Sequence, residues 1–325
     1  MSLVASIPSP SDGVLHIGPL AIHAYGLMIA LGVVAAVWLA GRRMEAAGVG
    51  TRDDMSSIAL WAVGAGVVGA RLYYVVTDKS QPWKEPSRWL KIWEGGLGIP
   101  GGLLAGVLVS IWAIRRRGLS VGGVFTAAAP AIPLAQAIGR LGNWWNQELF
   151  GRPTTLPWGL EIDDEHLPAG YPSGTTFHPT FLYEALWNLA LCALLIVIGM
   201  RMALRPGRLL ADYVAGYFTG RFWVEGLRID PANAGGGRRL NQWVALVVVA
   251  AAVLYLLVDR QRHRGMPADV TDSEVIDDDV TDSDVTDIEV IDSDVTDDVV
   301  TDGDVIEALP VSAADGDGEY VPQDE

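Results

Sequence analysis

The 325-residue chain contains one cysteine, Cys192, and five histidines. A single cysteine excludes a disulfide within the chain. Its position inside an apolar run makes it a small hydrophobe rather than a reactive group. The first ten residues carry no basic segment ahead of an apolar stretch, so no cleaved signal peptide is expected. No Walker loop, Ser–His–Asp signature or clustered metal-ligand spacing occurs, and neither a metal nor another cofactor is expected. The scarcest property is positive charge near the C-terminus. Residues 266–325 hold 22 Asp or Glu, no Lys or Arg, and one aromatic residue, Tyr320.

That absence divides the chain in two. The net charge of −16 belongs to the tail, because residues 1–265 carry 17 acids against 23 bases. The expected organisation is a membrane domain over 1–265 and a disordered acidic segment over 266–325. The tail repeats units such as Val270-Thr271-Asp272-Ser273 without helical periodicity. Like charges at this density repel, and too little apolar surface can be buried to offset chain entropy. No nucleic-acid partner is expected.

Crossing a bilayer takes about 20 mostly apolar residues. Leu20–Ala40, Met55–Thr77, Gly95–Ile114, Leu119–Ile138, Leu182–Met200 and Leu240–Val258 qualify. Leu209–Leu227 holds Asp212, Arg221 and Glu225 and counts as a span only if those charges face protein or water. The expected fold is therefore an all-α integral membrane protein with seven spans. Arginines gather after alternate spans, at Arg42-Arg43, Arg115-Arg116-Arg117, Arg201 to Arg208 and Arg260 to Arg264. Positive loops stay in the cytoplasm, so the N-terminus is expected outside and the acidic tail inside. Lys79, Lys84, Arg88 and Lys91 in an outer loop run against this rule, but the cytoplasmic clusters are tighter.

This orientation gathers the polar residues of six spans on one side. Arg71, Arg140, Arg221 and Glu225 fall late in outward-running spans. His23, Tyr25, Gly95–Gly102, His178, Tyr183 and Glu184 fall early in inward-running ones. A random scatter would divide between the two faces. One site is therefore expected, opening outward near headgroup depth. Guanidinium donors match phosphate geometry, and the membrane's own phosphates are the nearest anions. Ordinary alternatives stand beside this reading. Arg71 can snorkel to the interface. Arg140 and Arg221 can pair with Glu148 and Glu225, the latter at i, i+4. Gly95–Gly102 can present N–H groups to an oxyanion or merely allow close helix packing. His178 can be a base or a structural residue. Trp83, Trp89, Trp93, Trp144, Trp145, Trp158 and Trp223 suit an interfacial belt.

The segment Gly139-Arg140-Leu141-Gly142-Asn143-Trp144-Trp145-Asn146-Gln147-Glu148-Leu149-Phe150-Gly151 resembles the signature of the prolipoprotein diacylglyceryl transferases. Four further segments are similar to the family in the same order: His23–Met28, Gly69–Tyr74, His178-Pro179 with Leu182-Tyr183-Glu184, and Arg221–Glu225. Together they span roughly residues 15–260. The resemblance implies transfer of diacylglyceryl from phosphatidylglycerol to the lipobox cysteine of a preprolipoprotein signal peptide at the bacterial plasma membrane. It implies that Arg140 and Arg221 hold the lipid phosphate, with Arg71 and His178 also lining the pocket. Asn143, Asn146 and Glu148 would complete the hydrogen bonding, Glu225 would orient Arg221, Tyr25 would touch lipid or thiol, and Gly151 would permit close backbone approach. One position departs from the family. Many members carry a histidine base in the third-span glycine motif, where this chain has Pro100. His23, His178, Glu148 or an arginine-held water would then substitute. Without the resemblance, a transporter or flippase for an anionic solute or lipid, or a membrane scaffold acting through its tail, would also suit the residues.

Overall fold

A computed structural model describes residues 6–17, 20–78, 89, 95–202, 205–229, 234–235 and 238–262. The acidic tail, Trp83, Trp93 and the outer-loop basic residues lie outside the described residues. Among the described residues eight helices carry the fold: α1 Ala24–Ala46, α2 Arg52–Thr77, α3 Ile99–Arg116, α4 Val121–Ala128, α5 Ala131–Trp145, α6 Thr180–Arg201, α7 Arg208–Leu227 and α8 Leu240–Arg262. Three short antiparallel hairpins join them: β1 Val14–Ile17 with β2 Leu20–His23, β3 Leu160–Glu161 with β4 Thr176–Phe177, and β5 Ala234–Gly235 with β6 Arg238–Arg239.

Among the described residues, α1, α2, α3, α6 and α8 are each long and apolar enough to cross a membrane. A sixth span arises if α4 and α5 are counted as one, bent by 43°. The chain is thus a mostly helical, multi-pass membrane protein. The expected single span over Leu119–Ile138 is broken at Ala129-Pro130. Pro130 lacks the N–H that would continue α4, and Pro133 sits in the first turn of α5, where a missing N–H costs little. Helix α7 forms where the charged run was read, but Arg208, Asp212, Arg221 and Glu225 keep it outside the apolar class. The first span also starts later than Leu20. Leu20–His23 pairs with Val14–Ile17 as a hairpin, and the helix begins at Ala24.

Local chemistry fixes several boundaries. Thr51 and Asp54 form a reciprocal capping box at the start of α2. Helices α2 and α3 pack through small residues: a Cβ on Gly69 would lie 2.4 Å from the Ala105 Cβ and 2.5 Å from the Gly101 carbonyl oxygen. Only helices without side chains at that crossing approach so closely. An apolar cluster of Met44, Met55, Ile58, Ile114 and Val124 joins α1 to α4. A second, made of Ala129, Leu191, Leu195 and Leu209, joins the α4–α5 break to α6 and α7.

The opposite ends of α5, α6 and α7 lie beneath a small cap. Phe150, Leu160, Ile162, Phe177 and Phe181 form its core. Ile7 threads beside β3, donating to the Gly159 carbonyl and accepting from the Glu161 amide. Buried Gln147 fastens three segments: its amide donates to Pro10 O and Asp163 Oδ2, and its carbonyl accepts from the Asp163 amide.

Candidate active site

Helix α5 presents Arg140 and Asn143 one turn apart, α6 presents Glu184, and α7 presents Arg221 and Glu225 at i, i+4. Their side chains form an alternating row of charge. Arg140 Nη2 lies 2.6 Å from Glu184 Oε2, and Glu184 Oε1 lies 3.4 Å from Arg221 Nη1. Arg221 Nη2 lies 2.6 Å from Glu225 Oε2, and Glu225 Oε1 lies 2.9 Å from Arg239 Nε. Glu225 is 1% exposed and Glu184 8% as side chains, whereas Arg140 and Arg221 are 22% and 17% exposed. The carboxylates are buried and the guanidiniums keep partial exposure. A buried carboxylate without a partner costs several kcal/mol, on the order of 3–5, so each acid here is held by cations on both sides.

A neutral branch leaves the row at Arg140. Arg140 Nη1 donates to Asn143 Oδ1 over 3.4 Å, and Asn143 Nδ2 donates to Glu148 Oε1 over 2.9 Å. Asn146 Nδ2 donates to the same Glu148 oxygen at 3.1 Å. Among the described residues Glu148 Oε2 accepts no hydrogen bond. The residues flanking Glu148 are the two non-glycine residues with positive φ among those described, Gln147 at 47° and Leu149 at 58°. Such backbone costs roughly 1–3 kcal/mol per residue and clusters at functional sites. It turns the chain sharply off α5 and aims Glu148 back beside Asn143.

Gly151 forms the floor of this turn. Its amide donates to the His178 carbonyl at 2.9 Å, and it pairs with Arg228 beyond the end of α7. A Cβ there would meet the His178 Cβ at 2.8 Å and the Leu227 carbonyl oxygen at 3.1 Å. The backbones of three segments cross at that point only because residue 151 has no side chain. Tyr25 packs on Gly142 of α5, where a Cβ would lie 2.6 Å from the tyrosine Cδ2. This sets the Tyr25 ring on the turn that carries Arg140 and Asn143.

Several expectations change. The Arg140–Glu148 ion pair does not form: Arg140 pairs with Glu184 and reaches Glu148 only through Asn143. Arg71 does not join the row. Its Nε donates to Trp89 O at 3.0 Å, its Nη1 to Gly95 O and Gly96 O at 2.5 and 2.8 Å, and its guanidinium lies 5.1 Å from the Tyr74 ring centroid. Gly95 and Gly96 have positive φ, as a break requires, but they turn carbonyls to Arg71 instead of N–H groups to an anion. Pro100 is already inside α3. His178 contributes through its backbone and through Nδ1, 3.1 Å from the Tyr183 hydroxyl. That hydroxyl also accepts from Trp158 Nε1 at 3.0 Å. An indole N–H can only donate, so the hydroxyl accepts from Trp158, and the imidazole tautomer sets which of His178 Nδ1 and Tyr183 donates to the other.

Two members of the row carried little signal in the sequence. Glu184 stands in a motif singled out for its position, but nothing in the spacing pairs it with two arginines from other helices. Arg239 lies in a Gly-rich connection and reads as an ordinary loop charge. Only a prior assignment of α7 and α8 as neighbours would bring it to Glu225.

Comparison with known proteins adds the following. The family profile described as prolipoprotein diacylglyceryl transferase matches residues 12–258. A Streptomyces coelicolor protein named phosphatidylglycerol–prolipoprotein diacylglyceryl transferase 2 is 50% identical over 266 residues, covering 81% of this chain and 84% of the relative. A protein of Cutibacterium acnes named phosphatidylglycerol–prolipoprotein diacylglyceryl transferase is 51% identical over 262 residues, covering 79% and 88%. One of the same name from Mycobacteroides abscessus is 47% identical over 272 residues, covering 78% and 79%.

Proposed function

Because the chain belongs to the prolipoprotein diacylglyceryl transferase family, we infer that it moves the diacylglyceryl group of phosphatidylglycerol onto a prolipoprotein cysteine. The observation that carries this reading beyond the family is the charge row, in which two partly exposed guanidiniums from α5 and α7 are held by one buried carboxylate of α6. Each guanidinium has five donors, and the carboxylates engage only some of them. The remainder suit the lipid's phosphate. In the reaction the cysteine sulfur forms a bond to the glyceryl carbon that bears the phosphate. The C–O bond to phosphate breaks, its electron pair stays on the phosphate oxygen, and glycerol phosphate departs. Fixed positive charge beside that oxygen stabilises the departing dianion more than the bound ester.

The thiol proton needs an acceptor, because the thiolate is the nucleophile. Glu148 is suited to that role. Two asparagine amides fix one oxygen and leave the other open, and the flanking backbone holds it in place. His178 is less suited, since its Nδ1 already faces Tyr183. Tyr25 and Asn143 line the pocket, and Gly151 keeps the cap close to it. Arg71 acts indirectly, by fixing the α2–α3 loop. The site faces the outer side of the bacterial plasma membrane, where a lipid can arrive laterally and a translocated signal peptide with its lipobox cysteine can reach it. The acidic segment 266–325 lies in the cytoplasm and outside the catalytic unit. A transporter reading draws no support from the relatives named above, each of which is named a transferase.

The test is direct. Purified protein, phosphatidylglycerol and a lipobox peptide should yield a peptide whose mass has risen by one diacylglyceryl group on the cysteine. Arg140→Ala and Arg221→Ala should each slow this by about 100- to 1000-fold, the usual cost of one oriented donor at a developing charge. Near-normal turnover in both variants would refute the phosphate assignment.

A further inference from the structure

We propose that Arg239 is a positioning residue of the transferase, holding Glu225 so that Arg221 remains available to an anionic lipid phosphate; the proposal rests on the family reading above. Glu225 is buried and touches two guanidiniums. Arg221 on α7 meets Oε2 at 2.6 Å, and Arg239 of β6 meets Oε1 at 2.9 Å. Asn241 of α8 also donates to Oε1, at 3.2 Å. Glu184 of α6 faces the same arginine from the far side at 3.4 Å, a longer contact than its 2.6 Å pairing with Arg140. Arg221 is therefore shared between two acids. Without Arg239, the only cation left beside Glu225 in this row is Arg221. Its guanidinium would then be drawn fully into a local i, i+4 pair, away from Glu184.

Arg239 also fixes the wall opposite. Its Nη1 donates to the Arg228 carbonyl at 2.8 Å. Arg228 pairs with Gly151, and the neighbouring Arg152 amide donates to Leu227 O at 2.8 Å. One side chain thus ties the carboxylate that orients Arg221 to the backbone crossing that places the Glu148 turn. A lysine would supply the charge but could not meet Glu225 and a carbonyl from two separate nitrogens.

The test uses the full-length protein in phosphatidylglycerol-containing vesicles with a lipobox peptide, and the wild type run alongside. Arg239→Gln should lower kcat/KM for the lipid by about 10- to 100-fold, as for a lost outer-shell partner. Arg239→Lys should recover only part of the rate. Glu225→Gln with Arg239→Gln should lose much less than the product of the two single losses, because the Glu225 contact is common to both. Should Arg239→Gln fail to insert, a wild-type rate in Arg239→Lys would count against the proposal and a reduced rate at an unchanged melting temperature would support it. A lowered melting temperature with unchanged kcat/KM in Arg239→Gln, or single losses that multiply in the double variant, would overturn it. A wild type that leaves the peptide unmodified would overturn the transferase reading and this proposal with it.

Discussion

Among single residues, Glu148 carries the sharpest consequence. Its carboxylate accepts two amide bonds on one oxygen and keeps the other open. Glutamine can accept the same two bonds but cannot take a proton. Glu148→Gln should therefore keep the fold and lose about 100- to 10,000-fold in kcat, the usual range for a general base. The loss should shrink as pH rises past the thiol's own pKa of about 8.5, where the substrate ionises unaided. A pH–rate profile parallel to that of the wild type would remove Glu148 from this role. Much of this was legible beforehand. Arg140, Asn143, Asn146 and Glu148 lie within nine residues of one another, so local spacing alone places them close together. Glu184 and Arg239 were not legible as members of the row, because their partners lie on other elements. Arg71 was read as lining the pocket, but a position in the sequence does not say which way a side chain turns, and three carbonyls of its own loop engage it.

The helices show where periodicity informs and where it stops. Length and hydropathy located the five long apolar helices among the described residues, since the bilayer sets both. They did not locate the break at Pro130, because the residues on either side of it are equally apolar. They also could not decide whether the Gly-rich opening of α3 serves an anion or a helix contact. The Gly69–Gly101 crossing supports the second. Gly69→Leu should force α2 and α3 apart and cost roughly 1–3 kcal/mol of stability, as overpacking does. Detergent-titrated unfolding would measure it, and kcat of the folded fraction should change little, because neither helix contributes to the charge row. Unaltered stability would mean that the two helices are not held together at that crossing.

For the whole molecule, the prediction concerns sidedness. The cap over α5, α6 and α7 and the turn between α3 and α4 lie at opposite ends of the bundle. Cysteine introduced at Glu165 in the cap, with Cys192 replaced by alanine, should react with a membrane-impermeant maleimide on intact cells. Cysteine introduced at Arg116 should react only after the membrane is opened. The reverse pattern would place the charge row on the cytoplasmic face and remove its access to a translocated peptide. Sidedness was argued from arginine clusters, and the same clusters now mark the ends of α1, α3, α6 and α8 away from the cap.

The cations of the row are all arginines, with no lysine or histidine among them. A guanidinium keeps its proton across any acidity or alkalinity a bacterium survives. A site that holds its anion through guanidiniums alone would keep its grip whatever the acidity around it, leaving the incoming thiol to register the surroundings.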